Sequence, residues 1–215
     1  MFSGIITEIG RIAAIDPASI TITCARVLDG LPRGGSVAVN GVCLTAAAID
    51  AGSFSADLMP ETLRRSTLHG LTPGTEVNLE AALKFGQEVG GHLIQGHVDG
   101  TGEVVEVRDE GNARWVTIRV PAAVAPYCVA QGSIAVDGTS LTIAEQRGDR
   151  VAVSLIPHTL ERTVARAYAP GSRVNLEADI LAKYVARYVA GGPDSTGPTP
   201  SGGHPTPERS GERGN

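Results

Sequence analysis

Aromatic residues are scarce in this 215-residue chain: Phe, Trp and Tyr make up 4% of it, with a single Trp. No basic cluster is interleaved with them, and the formal net charge is −5. Nucleic-acid binding needs a positive footprint, so that class is excluded. No run of 18 apolar residues exists, and no membrane-spanning helix is expected. The opening Met1-Phe2-Ser3-Gly4-Ile5-Ile6 lacks a basic stretch followed by a long apolar one, so it does not read as a secretory signal. Cysteine is limited to Cys24, Cys43 and Cys128. An odd count without an export signal favours reduced thiols and a cytoplasmic location.

Common cofactor motifs are missing too. Gly100-Thr-Gly102 runs into Glu103 rather than into a glycine-rich turn opening a helix, so no dinucleotide fingerprint exists, and there is no P-loop. His92 and His97 are spaced H-x4-H without the cysteine or acidic partners of a zinc site. No metal and no cofactor are expected.

What the chain does contain is a repeat. Ser36-Val-Ala-Val-Asn-Gly-Val-Cys-Leu-Thr45 returns as Ser133-Ile-Ala-Val-Asp-Gly-Thr-Ser-Leu-Thr142. Leu58-Met-Pro-Glu-Thr-Leu-Arg-Arg-Ser-Thr67 returns as Leu155-Ile-Pro-His-Thr-Leu-Glu-Arg-Thr-Val164. Pro73-Gly-Thr-Glu-Val-Asn-Leu-Glu-Ala81 returns as Pro170-Gly-Ser-Arg-Val-Asn-Leu-Glu-Ala178. All three pairs are offset by 97 residues and match at 18 of 29 positions. Chance would give about one in fifteen, so the chain reads as a tandem duplication. A weaker match pairs Gly4–Gly10 with Gly96–Gly102 at an offset of 92, placing a five-residue gain near Arg108 to Arg114.

Each copy reads as short strands, such as Ile20–Thr23, Ser36–Val39 and Trp115–Val120. Turns fall at Asn40-Gly41, Ala51-Gly52, Asp137-Gly138 and Gly148-Asp149. Many short strands with frequent turns predict small closed barrels, an all-β duplicated fold. The expected domains are 1–95 and 96–178. A helix over 179–190 follows, with Ile180, Leu181, Tyr184, Val185, Tyr188 and Val189 as one apolar stripe, stopped by Gly191-Gly192-Pro193. That stripe could pack on its own barrel or join subunits. Residues 191–215 hold nothing apolar larger than proline, and 12 of these 25 are Gly or Pro, so a disordered tail is expected.

The chemistry should lie where equivalent positions differ. Asn40 corresponds to Asp137, Cys43 to Ser140 and Glu61 to His158, within a shared frame of Gly41/Gly138, Leu44/Leu141 and Thr45/Thr142. Two pockets of one shape with different acid–base groups suit two molecules of one ligand treated differently.

At these residues the chain resembles riboflavin synthase of the two-lumazine-domain type. The resemblance covers residues 1 to about 189. It rests on Met1–Ile6, Asn40-Gly-Val-Cys-Leu-Thr45, Gly90-Gly-His-Leu-Ile-Gln-Gly-His97, Asp137-Gly-Thr-Ser-Leu-Thr142 and Ile156-Pro-His-Thr-Leu-Glu-Arg-Thr163. It implies two six-stranded Greek-key barrels plus a C-terminal helix, and a homotrimer joined through that helix. Each active site would lie between the N-terminal barrel of one subunit and the C-terminal barrel of a neighbour. The implied reaction is dismutation of two 6,7-dimethyl-8-ribityllumazine molecules by four-carbon transfer. It yields riboflavin and 5-amino-6-ribitylamino-uracil without cofactor, and lumazine synthase is a further expected partner.

By matched position, Phe2 would pack on a bound ring. Gly4, Ile5 and Ile6 would line a first pocket with Cys43, Leu44, Thr45 and the run Asp57, Leu58, Met59, Pro60, Glu61, Thr62. Gly96, His97 and Val98 would line a second with Ser140, Leu141, Thr142 and the run Ser154, Leu155, Ile156, Pro157, His158, Thr159. Ser36, Cys43, His92, His97 and Asp137 are the catalytic candidates. The reaction needs a proton removed from the 7-methyl group of one lumazine and a nucleophile added to the other. Gln131 stands where the family commonly places a ligand-contacting lysine, so the charge is gone there. The alternative reading is a lumazine- or flavin-binding antenna protein of the same fold. Such proteins lose polar groups from their pockets, whereas Cys43, His97, Asp137 and Ser140 remain here. A flavoprotein reductase would need a downstream nucleotide-binding domain.

Overall fold

The computed structural model describes residues 1–191, so the expected disordered tail lies, beyond Gly191, outside the described residues. Six antiparallel strands close the first barrel: β1 (Glu8–Ile15), β2 (Ser19–Thr23), β3 (Ser36–Val39), β4 (Val42–Asp50), β5 (Ser53–Asp57) and β6 (Glu76–Ala81). They are ordered β1-β2-β5-β4-β3-β6, a Greek-key connection. The second barrel repeats that order with β7 (Gly100–Glu110), β8 (Ala113–Arg119), β9 (Ser133–Val136), β10 (Thr139–Arg147), β11 (Arg150–Leu155) and β12 (Arg173–Ala178). Short helices α1 (Pro60–Arg65) and α2 (Pro157–Arg162) occupy equivalent places, each with proline in its first turn. The helix α3 (Ile180–Val189) ends the described chain, with the Asp179 side chain capping it through Leu181 N–H.

Each barrel closes around its own core, one centred on Ile22, Phe54 and Leu79, the other on Ile118, Ile143 and Leu176. Bulges at Ile12–Ala14 and Ala46–Ala48 recur at Val104–Glu106 and Ile143–Glu145, bending equivalent strands at equivalent points so that the sheets can close. The five-residue gain extends the β7–β8 hairpin, where Arg108 pairs with Trp115 and its guanidinium lies 4.6 Å from the ring centre.

The duplication also shapes the seam between the barrels. Phe2 and Ile94, equivalent residues of the two copies, form an antiparallel bridge by exchanging two main-chain hydrogen bonds of 2.7 and 3.0 Å. Around them Ala38 and Ala135 are buried in one small cluster. The turns Asn40-Gly41 and Asp137-Gly138 take positive φ at both residues and abut across the same seam. A Cβ on Gly41 would lie 2.6 Å from the Gly138 nitrogen, so only glycine allows this approach.

Asn78 and Asn175, both buried, stitch the barrels reciprocally. Asn78 Nδ2 donates to the Asp137 carbonyl and its Oδ1 accepts from Val164 N–H. Asn175 Nδ2 donates to the Asn40 carbonyl and its Oδ1 accepts from Thr67 N–H. With their amides satisfied, these groups escape the penalty of buried unpaired polar atoms.

Candidate active site

The hairpin β3–β4 pairs Ser36 with Thr45 and Ala38 with Cys43, so these four share one face. Cys43 is half-buried, and its N–H donates to the Gly96 carbonyl at 2.9 Å. Gly96 has φ +80 and lies so close that a Cβ there would be 2.5 Å from Cys43 Cβ. The segment just before β7 thus lies on the first barrel. Together they enclose a hollow of about 340 Å³ lined by Val42, Cys43, Glu61, Thr62, Arg65, Ser66, Gly96, His97, Val98 and Asp99. Glu61 is exposed, and the guanidiniums of Arg65 and Arg64 hold its carboxyl below the usual range. Asp99 is paired with Lys183 of α3 at 2.7 Å.

The converse arrangement exists on the second barrel. Ser140 N–H donates to the Gly4 carbonyl at 2.9 Å, and a Cβ on Gly4 would meet Ser140 at 2.6 Å. The linker between the barrels adds His92, whose Nδ1 lies 2.7 Å from Ser140 Oγ. Gly91 makes room for that contact, since a Cβ there would be 2.1 Å from the Ser3 carbonyl and 2.7 Å from Ser140 Oγ. Among the described residues no group hydrogen-bonds the buried His92 Nε2, and burial lowers the imidazole's pKa, favouring the neutral ring.

This geometry corrects the expected grouping. Gly4 meets Ser140 rather than Cys43, and Gly96 meets Cys43 rather than Ser140, because each opening segment crosses the seam onto the other barrel. Cys43, Glu61 and Thr62, expected together, line one hollow, and they are joined there by Gly96, His97 and Val98, which were expected beside Ser140. His92 and His97 go to opposite sites, so the H-x4-H pair does not act as one unit.

Phe2 is fully buried in the seam cluster and presents no face to a ring, which overturns its expected stacking role. Leu44, Leu58 and Leu155 turn their side chains into the barrel cores and can offer a ligand only main chain. Exposed Met59 and Ile156 stand at equivalent points beside them, at the starts of α1 and α2.

Asp137 stands apart from the Cys43 hollow. One carboxylate oxygen accepts Asn175 N–H at 2.8 Å and the other accepts Tyr168 Oη–H at 2.7 Å. It mirrors Asn40, whose Oδ1 accepts Asn78 N–H at 2.7 Å. Burial pushes the Asp137 carboxyl up to about 6. Its two bonds fit a seam-holding role better than proton transfer at Cys43. Gln131 is exposed with φ +66, where the first copy has Gly34 at φ +83, and it lies outside the Cys43 hollow.

Two buried carboxylates escaped the sequence reading. Glu80 accepts from Ser3 N–H, Ser3 Oγ–H and Gly4 N–H, and Glu177 accepts from Gln95, Gly96 and His97 N–H. The signal was present, since both lie in the repeated Val-Asn-Leu-Glu-Ala, where a charge sits inside an apolar strand.

Residues 3–82 and 95–179 each match the lumazine binding domain. A riboflavin synthase of Mycobacterium bovis is 50% identical over 198 residues, covering 88% of this chain and 98% of that protein. One of Bacillus subtilis is 40% identical over 193 residues, covering 88% and 90%. Among solved structures, LumP complexed with riboflavin superposes with a TM-score of 0.75 at 26% identity, covering 83% of this chain and 99% of that one. Twin barrels with paired, non-identical sites define a tandem lumazine-binding protein. More narrowly, the chain belongs to the riboflavin synthase family.

Proposed function

We propose that this chain catalyses the riboflavin synthase reaction, dismutating two 6,7-dimethyl-8-ribityllumazine molecules into riboflavin and 5-amino-6-ribitylamino-uracil. The observation that carries the reading is the pair of equivalent sites with unlike groups. One offers the Cys43 thiol and the His97 imidazole, the other the Ser140 hydroxyl bound to His92. A donor and an acceptor lumazine need different proton traffic, and a symmetric pair of sites would not set them apart. The atoms of two lumazines equal those of the two products, so the transfer itself calls for no external oxidant. His92, held neutral by burial, is suited to accept a proton relayed through Ser140. Holding two rings face to face supplies a large part of the acceleration.

The assembly in this reading is a homotrimer. Leu181, Tyr184, Val185, Tyr188 and Val189 of α3 are 60–84% exposed, an apolar face that its own barrel leaves uncovered. A neighbour's barrel would then bring its Ser140 site to the Cys43 hollow. The cytoplasm, where lumazine synthase would supply the substrate, is the compartment that fits reduced Cys24, Cys43 and Cys128. The antenna reading draws on the likeness to LumP, but identity to it is 26% against 50% to a synthase. Incubating the purified protein with the lumazine decides between them. Riboflavin and the uracil product should appear in equal amounts, and bound lumazine without riboflavin would favour the antenna.

A further inference from the structure

Glu177, on β12, is buried, and among the described residues every hydrogen bond its carboxylate accepts comes from the segment that carries His97. Oε1 accepts Gln95 N–H at 2.8 Å, while Oε2 accepts Gly96 N–H at 3.0 Å and His97 N–H at 3.1 Å. Among the described residues no cation lies within ion-pair distance of it; Lys183, the nearby lysine, is paired with Asp99. Burying a carboxylate without an ion-pair partner is costly, yet the chain does so at the equivalent place in both copies. Three converging donors explain the choice of residue. A carboxylate offers only acceptor sites, whereas an amide would turn an NH2 group toward at least one of those N–H groups.

We propose that Glu177 is a positioning residue for the Cys43–His97 site, clamping the main chain of residues 95–97 so that Gly96 stays seated on Cys43 and His97 borders the hollow. Glu80 does the same for Ser3 and Gly4 beside Ser140. The proposal rests on reading the hollow as a lumazine site, but its geometry can be probed without any substrate. Cys43 is half-buried, whereas Cys24 and Cys128 are buried, with thiols pushed up to about 12 and about 11. Alkylation by iodoacetamide therefore reports on Cys43.

In Glu177→Gln, Cys43 should alkylate about tenfold faster than in wild type, and turnover should fall by about tenfold or more through kcat, the scale of one charge-assisted bond. Glu80→Gln should leave the Cys43 rate within about two-fold, because its clamp serves the other site. General loosening would instead expose Cys24 and Cys128 as well, and that result would overturn the proposal. So would a Glu177→Gln protein that alkylates and turns over like wild type. Hydrogen exchange on the unmodified protein tests the clamp even where the variant fails to fold. The amides of Gln95, Gly96 and His97 should exchange at least about a hundredfold slower than in a free peptide, and exchange at the free-peptide rate would overturn the clamp. A wild-type protein that is clamped but makes no riboflavin would sink the proposed function and leave the clamp standing.

Discussion

Asp137 shows how much a single buried side chain can say about pH. Its folded pKa of about 6 is raised from 3.8 by burial, so the folded state binds the proton more tightly than the unfolded chain. The stability this group contributes is fully present below the unfolded value and is lost as pH rises through about 6. The loss is about 3 kcal/mol between acid and neutral pH. Asp137→Asn, which copies Asn40 in the first barrel, should flatten that slope. Denaturant unfolding of both proteins between pH 4 and 7 checks this, and parallel slopes would contradict it. At Cys43, the other copy's Ser140 shows that a serine fits the shared frame. Cys43→Ser should fold and bind ligand while turning over more slowly, by about tenfold or less if the thiol only assists proton transfer. Binding titration followed by an initial-rate assay measures both, and complete loss of turnover with intact binding would point to a covalent thiol.

The elements were legible where local patterning decides them. The Asn40-Gly41 and Asp137-Gly138 turns, the repeat register and the amphipathic α3 all follow from residue type and spacing, with Asp179 capping the helix rather than lying inside it. What could not be read was which barrel each opening segment serves. Gly4 meets Ser140 and Gly96 meets Cys43 through main-chain bonds, which leave no mark on side-chain pattern beyond a glycine. The seam position of Phe2 is hidden for a related reason, because its partner is Ile94 of the other copy and burial at a seam has no local period. The meeting of Cys43 with Glu61 and Thr62 was legible, since all three lie in the first copy's repeated segments, but His97 belongs to the second copy's opening segment and joins them only because that segment crosses the seam. The α3 helix carries its own prediction. Truncation before Asp179 should convert a trimer into monomers in light scattering at micromolar concentration, and a monomeric full-length chain would refute the trimer.

In the proposed function, two copies of one barrel became an enzyme by becoming unlike. Residues 1–97 contain one complete copy with its own opening segment, and the seam is built from equivalent groups on both sides. Two such fragments can therefore pair as the barrels do, Phe2 against Phe2 and Gly4 of one on Cys43 of the other. Such a homodimer has two like sites, with Asn40, Cys43 and Glu61 wherever the whole chain offers Asp137, Ser140 and His158. Fluorescence titration of this fragment with riboflavin or lumazine, followed by a riboflavin-formation assay, tests whether unlike copies are needed. Binding without efficient turnover is expected. A fragment that converts lumazine as fast as the whole chain would show that the differences between the copies are drift.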